Sequence, residues 1–292
     1  MTAVPAAARP RAAVRSVAAP GARSARGLAD LALVVLGLVF LVPLLWLVFA
    51  SFDTRATLVA GPPQAPGLGN FAEVLSWDRL GRPLLNSTVL SAGAAAVSVL
   101  VATLTAYPLS RYRLRFGRGF MYAVLFGTCL PITAMMVPVY ALFVKLEWLD
   151  SLLASTLFLA ATSLPMAIFM TKNFMDSVPV SLEEAAWTDG ASARQTLVSI
   201  VTPLMRPGLA VVFVYVFVQC WGNFFVPFVL LLSPEKQPAA VTIFSFFGQY
   251  GSVAYGSLAA FSLLYSLPVV VLYALAQRLI GGSNAMAGAV KG

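Results

Sequence analysis

The chain is 292 residues long, 60% hydrophobic and 10% charged, with a formal net charge of +8 and no histidine. A mean hydropathy of +0.87 excludes an ordinary soluble domain and points to a polytopic membrane protein. The missing histidine removes the commonest metal ligand and general base, and no G-x-x-x-x-G-K-[ST] loop is present to hold ATP, so neither an enzyme nor a metal site is expected.

In chain order, residues 1–27 carry five arginines and no acid. They read as a disordered basic cytoplasmic tail. An Arg-rich transit peptide is the other reading, but Pro5, Pro10 and Pro20 do not suit one amphipathic helix. Uncharged runs then occupy 31–52, 83–110, 119–144, 151–171 and 207–234, each at least 21 residues long. A helix needs about 20 apolar residues to cross the hydrocarbon, so each run predicts one span. The uncharged stretch 237–277 is interrupted by Gly, Ser and Tyr, which leave backbone groups poorly satisfied in lipid. It predicts a sixth span at 257–280, preceded by an interfacial or cavity-facing segment at 239–256. Cys129 and Cys220 fall inside predicted spans and read as small packing residues.

The expected fold class is therefore all-α, a six-span membrane domain over 28–280 with a cytoplasmic tail at 281–292. Six spans place 14 of the 19 Lys and Arg residues on the side of the two termini. That bias puts both termini in the cytoplasm. The positive charge then reports topology and anionic lipid rather than nucleic acid.

No charge lies deep in any predicted span, which disfavours a carrier built on an intramembrane carboxylate. The fifth span instead spaces Tyr215, Gln219 and Asn223 at i, i+4 and i+8, on one helical face. With Trp221 beside them, these neutral groups either line a polar pathway suited to a hydroxyl-rich solute or hydrogen-bond neighbouring helices as packing.

Between the fourth and fifth spans, 173–207 forms a polar loop on the cytoplasmic side. Its core, "SLEEAAWTDGASARQ", gathers Glu183, Glu184, Asp189 and Arg194 among oily neighbours. Ser181 with Glu184, and Ser192 with Gln195, match the capping box that opens helices, and Gly190 sits where the first helix would end. The segment predicts a helical hairpin: one helix over 182–188, a turn at Asp189 and Gly190, and a second helix over 193–201 ending before Pro203. Small Ala185 and Ala186 allow close approach of another backbone, and Glu183, Glu184 and Asp189 supply an acidic edge. The hairpin is shaped either to dock into another protein or to pack on its own bundle.

Glu184-Ala185-Ala186, Gly190, Ile200 and Thr202-Pro203 resemble the E-A-A signature of binding-protein-dependent ATP-binding-cassette import permeases, with Thr202 where leucine is usual. Residues 86–118, 135–151 and the ending "GAVKG" are similar to the second permease of carbohydrate importers of the maltose and glycerol-phosphate type. Gly222 departs from that family's usual Trp-Asn run. The resemblance implies a partner permease, two P-loop ATPase subunits that bind ATP and Mg, and an extracytoplasmic solute-binding protein. It makes the hairpin (Glu183, Glu184, Ala185, Ala186, Asp189, Gly190) the coupling element, and suggests an ATPase contact for the tail at Gly288 and Lys291. This chain itself would carry no cofactor. A self-contained carrier or channel, or a membrane scaffold, stands as the alternative in which the hairpin is structural.

Overall fold

The computed structural model describes residues 21–288 apart from 60, 130 and 249–252, with side chains described between Asp30 and Arg278. The chain divides into two compact units, residues 1–46 and 47–292. Helix α1 (Gly21–Ser51) supplies the described part of the first. It starts at Gly21, inside the segment expected as a tail. Residues 1–20 lie outside the described set.

The second unit is helical, with no strand among its described residues. Its elements are α2 (Gly69–Val74), α3 (Arg82–Arg111), α4 (Gly117–Gly127), α5 (Ile132–Lys145) and α6 (Leu152–Asp176), then α7 (Val180–Thr188), α8 (Ala193–Thr196), α9 (Thr202–Leu204), α10 (Arg206–Trp221), α11 (Phe225–Leu230), α12 (Ala239–Thr242) and α13 (Tyr255–Gly288). Four helices among the described residues are long and apolar enough to cross a membrane, and up to six crossings result if each of two bent pairs counts as one.

Helices α3 and α6 form the centre. Gly93 packs where a β-carbon would lie 2.8 Å from Thr156 Cγ2, Ser98 Oγ donates to the Ala160 carbonyl at 3.2 Å, and Ser110 Oγ reaches Asp176 at 2.6 Å. Contacts that advance together along both helices mean that α3 and α6 run parallel. Buried Ala94, Ala95, Ala102, Ala160 and Ala167 line the seam. Small side chains let two backbones approach where lipid supplies no hydrophobic drive. Parallel neighbours require an intervening return, which α4 and α5 provide with a 92° bend between them, where one span was expected.

The expected fifth span is also broken. Helix α10 ends at Trp221, and α11 restarts at Phe225. Pro227 lacks an N–H and its ring crowds the carbonyl four residues back, which disfavours a continuous helix, although α3 and α6 continue through Pro108 and Pro165, and suits a helix that begins just before it. Asn223 Oδ1 accepts from Val226 N–H at 3.1 Å and opens α11. Tyr265 Oη donates to the Trp221 carbonyl at 2.6 Å, satisfying the end of α10. The segment after Pro238 is a short helix and one tight turn rather than a crossing, with Ala239, Val241 and Phe246 buried. The last helix outruns the span expected at 257–280 and continues to Gly288 through most of the expected tail.

Asp150, before α6, binds the loop after α11. Its Oδ1 accepts from the N–H groups of Leu232 (3.0 Å) and Ser233 (2.9 Å), and its Oδ2 from Ser233 Oγ (2.5 Å) and Lys236 Nζ (2.8 Å). Asp150 holds φ at +56°, a left-handed conformation that aspartate tolerates better than most residues. Burial opposes ionisation of its carboxyl, but the bonds from Lys236 and Ser233 outweigh it and hold the group well below the usual carboxylate range.

Candidate functional site: the hairpin and the neutral cavity

Helix α7 begins directly after Pro179, whose extended backbone (ψ 127°) ends the preceding link. Ser181 is therefore already inside the first turn, and the capping box expected from Ser181 and Glu184 does not form. The second box does: Ser192 Oγ accepts from Gln195 N–H, and Gln195 Oε1 accepts from Ser192 N–H. Between them Gly190 adopts φ +87°. Its N–H bonds to the Trp187 carbonyl at 3.0 Å, and the Ala191 N–H to that of Ala186 at 2.9 Å. This is the Schellman pairing, in which a left-handed residue just past the helix closes its last carbonyls. A β-carbon on Gly190 would meet nothing within 4 Å, so backbone conformation alone selects glycine here.

The second arm differs from expectation. Thr202 N–H bonds to the Leu197 carbonyl, a widened turn five residues long. That turn takes the chain through Pro203 to Leu204, where an unbroken α-helix would meet the proline ring. The same widening precedes Pro83, where Arg82 N–H bonds to the Trp77 carbonyl. The direction then changes by 76° into α10.

The acidic edge is narrower than the sequence suggested. Glu184 and Asp189 are exposed with Leu182, Ala185 and Trp187, whereas Glu183 is fully buried beside buried Ala186. Successive residues on a helix are turned about 100° apart, which here sets Glu183 against the bundle and Glu184 outside it, and Glu183 has found a partner inside. Its Oε1 accepts from Arg111 Nε at 2.5 Å and its Oε2 from Tyr107 Oη at 3.0 Å. The remaining guanidinium nitrogens donate to the Val178 carbonyl (3.2 Å) and Ser110 Oγ (3.0 Å). Sequence reasoning counted Arg111 only toward membrane orientation. Its signal was position: it ends the uncharged run of α3 at the boundary where the hairpin packs.

At mid-bundle, the stripe residues Tyr215, Gln219 and Asn223 do meet in one cavity of about 540 Å³. Gln219 Nε2 lies 3.4 Å from Tyr215 Oη. Helix α6 adds Thr162 and Ser163, and the end of α4 adds Thr128, none of which the sequence singled out. Among the described residues, no charged one lines this cavity. Asn223 reaches it from the break after α10 rather than from a continuous helical face. Trp221 does not line it. The indole is 4% exposed and stacked between Phe217 (5.3 Å) and Tyr265 (5.4 Å). Cys220 lines the cavity, buried, with Ser163 Oγ 3.8 Å from its sulfur, while Cys129 is exposed. Gly288 ends the described part of α13, and Lys291 lies outside the described residues.

A family model described as "Binding-protein-dependent transport system inner membrane component" matches residues 98–282, which span the centre of the bundle, the hairpin and the cavity. The chain belongs to this family. It is a multi-pass inner-membrane permease component. Among its relatives, the diacetylchitobiose uptake system permease protein NgcG of Streptomyces coelicolor is 27% identical over 86% of this chain and 84% of that one. The glucose import system permease protein GlcU of Saccharolobus solfataricus is 27% identical over 90% of this chain and 94% of that one. In fold, the permease resembles a chain of a bacterial ABC transporter that imports the acidic polysaccharide alginate, with a TM-score of 0.76, 21% identity, and coverage of 89% and 97% of the two chains.

Proposed function

We propose that this permease pairs with a second, related permease to form the pathway of a heteromeric ABC importer for a neutral saccharide. The observation that carries the reading is the hairpin, a capped helix whose exposed face offers Glu184, Ala185 and Asp189 at the end of the bundle where Arg111, Arg113, Arg115 and Arg118 lie. That basic end faces the cytoplasm by the positive-inside rule, where two ATP-hydrolysing subunits would grip α7, ATP and Mg being bound by them. An extracytoplasmic binding protein would deliver the solute at the Asp150 end. ATP-driven closure would then bias a two-state bundle through differential contacts at α7.

The cavity supports the solute class. Hydroxyls and amides from Tyr215, Gln219, Asn223, Thr162 and Ser163 can exchange hydrogen bonds with sugar hydroxyls, and the described lining residues carry no charge to offer an anionic group. The neutral sugars named for the two relatives fit this lining.

The test uses the complete importer in vesicles. Cysteine at Glu184 or Asp189 should cross-link to an ATPase subunit, and Asn223→Leu should lower saccharide uptake while that cross-link still forms. Normal uptake with no ATPase captured along α7 would sink the coupling reading. Unaltered uptake in Asn223→Leu would return the cavity to helix packing.

A further inference from the structure

The exposed face of α7 explains how a partner could hold the hairpin, but not how movement there would reach the spans. A short helix on a glycine turn could simply swing. What opposes swinging is one buried guanidinium. The Arg111 side chain is 3% exposed and that of Glu183 0%. Each donor group of Arg111 bonds to a different part of the fold: Nε to Glu183 on α7, Nη2 to the Val178 carbonyl in the link between α6 and α7, and Nη1 to Ser110 on α3. Ser110 passes the connection on, donating to Asp176 at the end of α6. Tyr107 on α3 closes the second carboxylate oxygen of Glu183.

Around this network pack Ala106, Met175, Val178, Val201 and Met205, all buried. In such surroundings a charge without its partner is strongly disfavoured, so the bonds cannot be exchanged for water as α7 moves. A planar fork also fixes direction, which a point charge does not.

We infer that Arg111, with Glu183 as its buried partner, is the positioning residue that transmits movement of the coupling hairpin to the bundle. A push on α7 moves α3 and α6 as one body instead of bending the hairpin at its root. The inference rests on the coupling reading above and goes past it: docking belongs to the outer face of α7, transmission to the inner face. The two faces should therefore fail separately.

The experiment is solute uptake per ATP hydrolysed, measured on the assembled importer in vesicles, with the cross-link from cysteine at Asp189 as the docking control. Arg111→Lys keeps the charge and loses the fork. It should retain the cross-link and the ATPase activity while uptake per ATP falls by about tenfold. Tyr107→Phe removes one of the bonds to Glu183 and should give a smaller fall. The double replacement Arg111→Met with Glu183→Leu refills the site with apolar volume and removes the directional bonds. It should assemble, cross-link and remain poorly coupled. Full coupling in that double variant, or in Arg111→Lys, would overturn the inference, because packing alone would then suffice. If Arg111→Lys fails to assemble, Tyr107→Phe decides: normal uptake per ATP in it counts against transmission. Failure of the wild-type cross-link would instead indict the docking reading.

Discussion

At one end of the bundle Asp150 holds the turn before α6 to the loop after α11, and at the other Glu183 holds α7 to the end of α3. Both are carboxylates that join segments far apart in sequence. They differ in solvent: the Asp150 and Lys236 side chains are 22% and 43% exposed, those of Glu183 and Arg111 0% and 3%. Asp150 spends most of its bonds on backbone and hydroxyl groups of a single loop and shapes that loop. Glu183 spends both oxygens on side chains of α3, so it relates one helix to another. A half-wet tie can break and re-form with water's help, whereas a dry one holds its geometry or fails outright. The dry tie is the one suited to carry force.

The largest expected effect follows from that difference. Glu183→Ala leaves Arg111 buried without its carboxylate and should destabilise the fold by about 3–5 kcal/mol. Thermal unfolding in detergent would measure it, and a loss no greater than that of an Asp150 variant would erase the distinction between the two ends. Gly190→Val comes next. The space is open, so the cost is the left-handed φ alone, about 1–3 kcal/mol, felt by the hairpin only. Limited proteolysis should open 188–192 faster while the melting temperature of the bundle barely moves.

These two residues mark what the sequence disclosed and what it withheld. Gly190 was legible because local rules govern it: a short helix-forming run before, a capping serine after, a glycine between. Glu183 was read onto the wrong face, because its partner lies on α3, more than seventy residues earlier, and no local pattern announces such a pairing. Membrane crossings were legible as uncharged runs, but the breaks within them were not, since proline recurs inside helices that continue, Pro108 and Pro165 among them, and nothing local marks Pro227 as a place where the chain stops and restarts. The cavity was half legible. Tyr215, Gln219 and Asn223 stood out by spacing on one segment, while Thr162 and Ser163 sit in a run of small residues where polar groups usually satisfy their own helix, as both do through the Leu159 carbonyl.

The wet end makes a smaller, pH-dependent prediction. Asp150→Asn keeps the shape and removes the charge, and should cost about 1 kcal/mol, modest because the pair is partly solvated. The folded carboxyl titrates below its ordinary value, so its contribution is complete above the unfolded value near pH 4 and disappears as pH falls from there through the lowered folded value. The difference in melting temperature between wild type and Asp150→Asn should stay constant between about pH 6 and 8 and narrow only below about pH 4. Narrowing already near neutrality would mean that the Lys236 and Ser233 bonds do not control this carboxyl.

The smallest effect belongs to the fringe of the dry end. Lys172 Nζ lies 2.6 Å from Asp176 Oδ2, with side chains 25% and 43% exposed. Lysine precedes the acid by four residues, the less favourable order on a helix. Lys172→Gln should therefore cost only a few tenths of a kcal/mol and lose even that in high salt. Its value lies in the comparison with Arg111. Asp176 also accepts from Ser110, so Lys172 touches the outermost link of the same chain of bonds. If force runs through the buried fork, Lys172→Gln should leave uptake per ATP at the wild-type level while Arg111→Lys lowers it. Equal losses in the two variants would place transmission in the exposed rim, and burial would cease to be what separates the ends of this molecule.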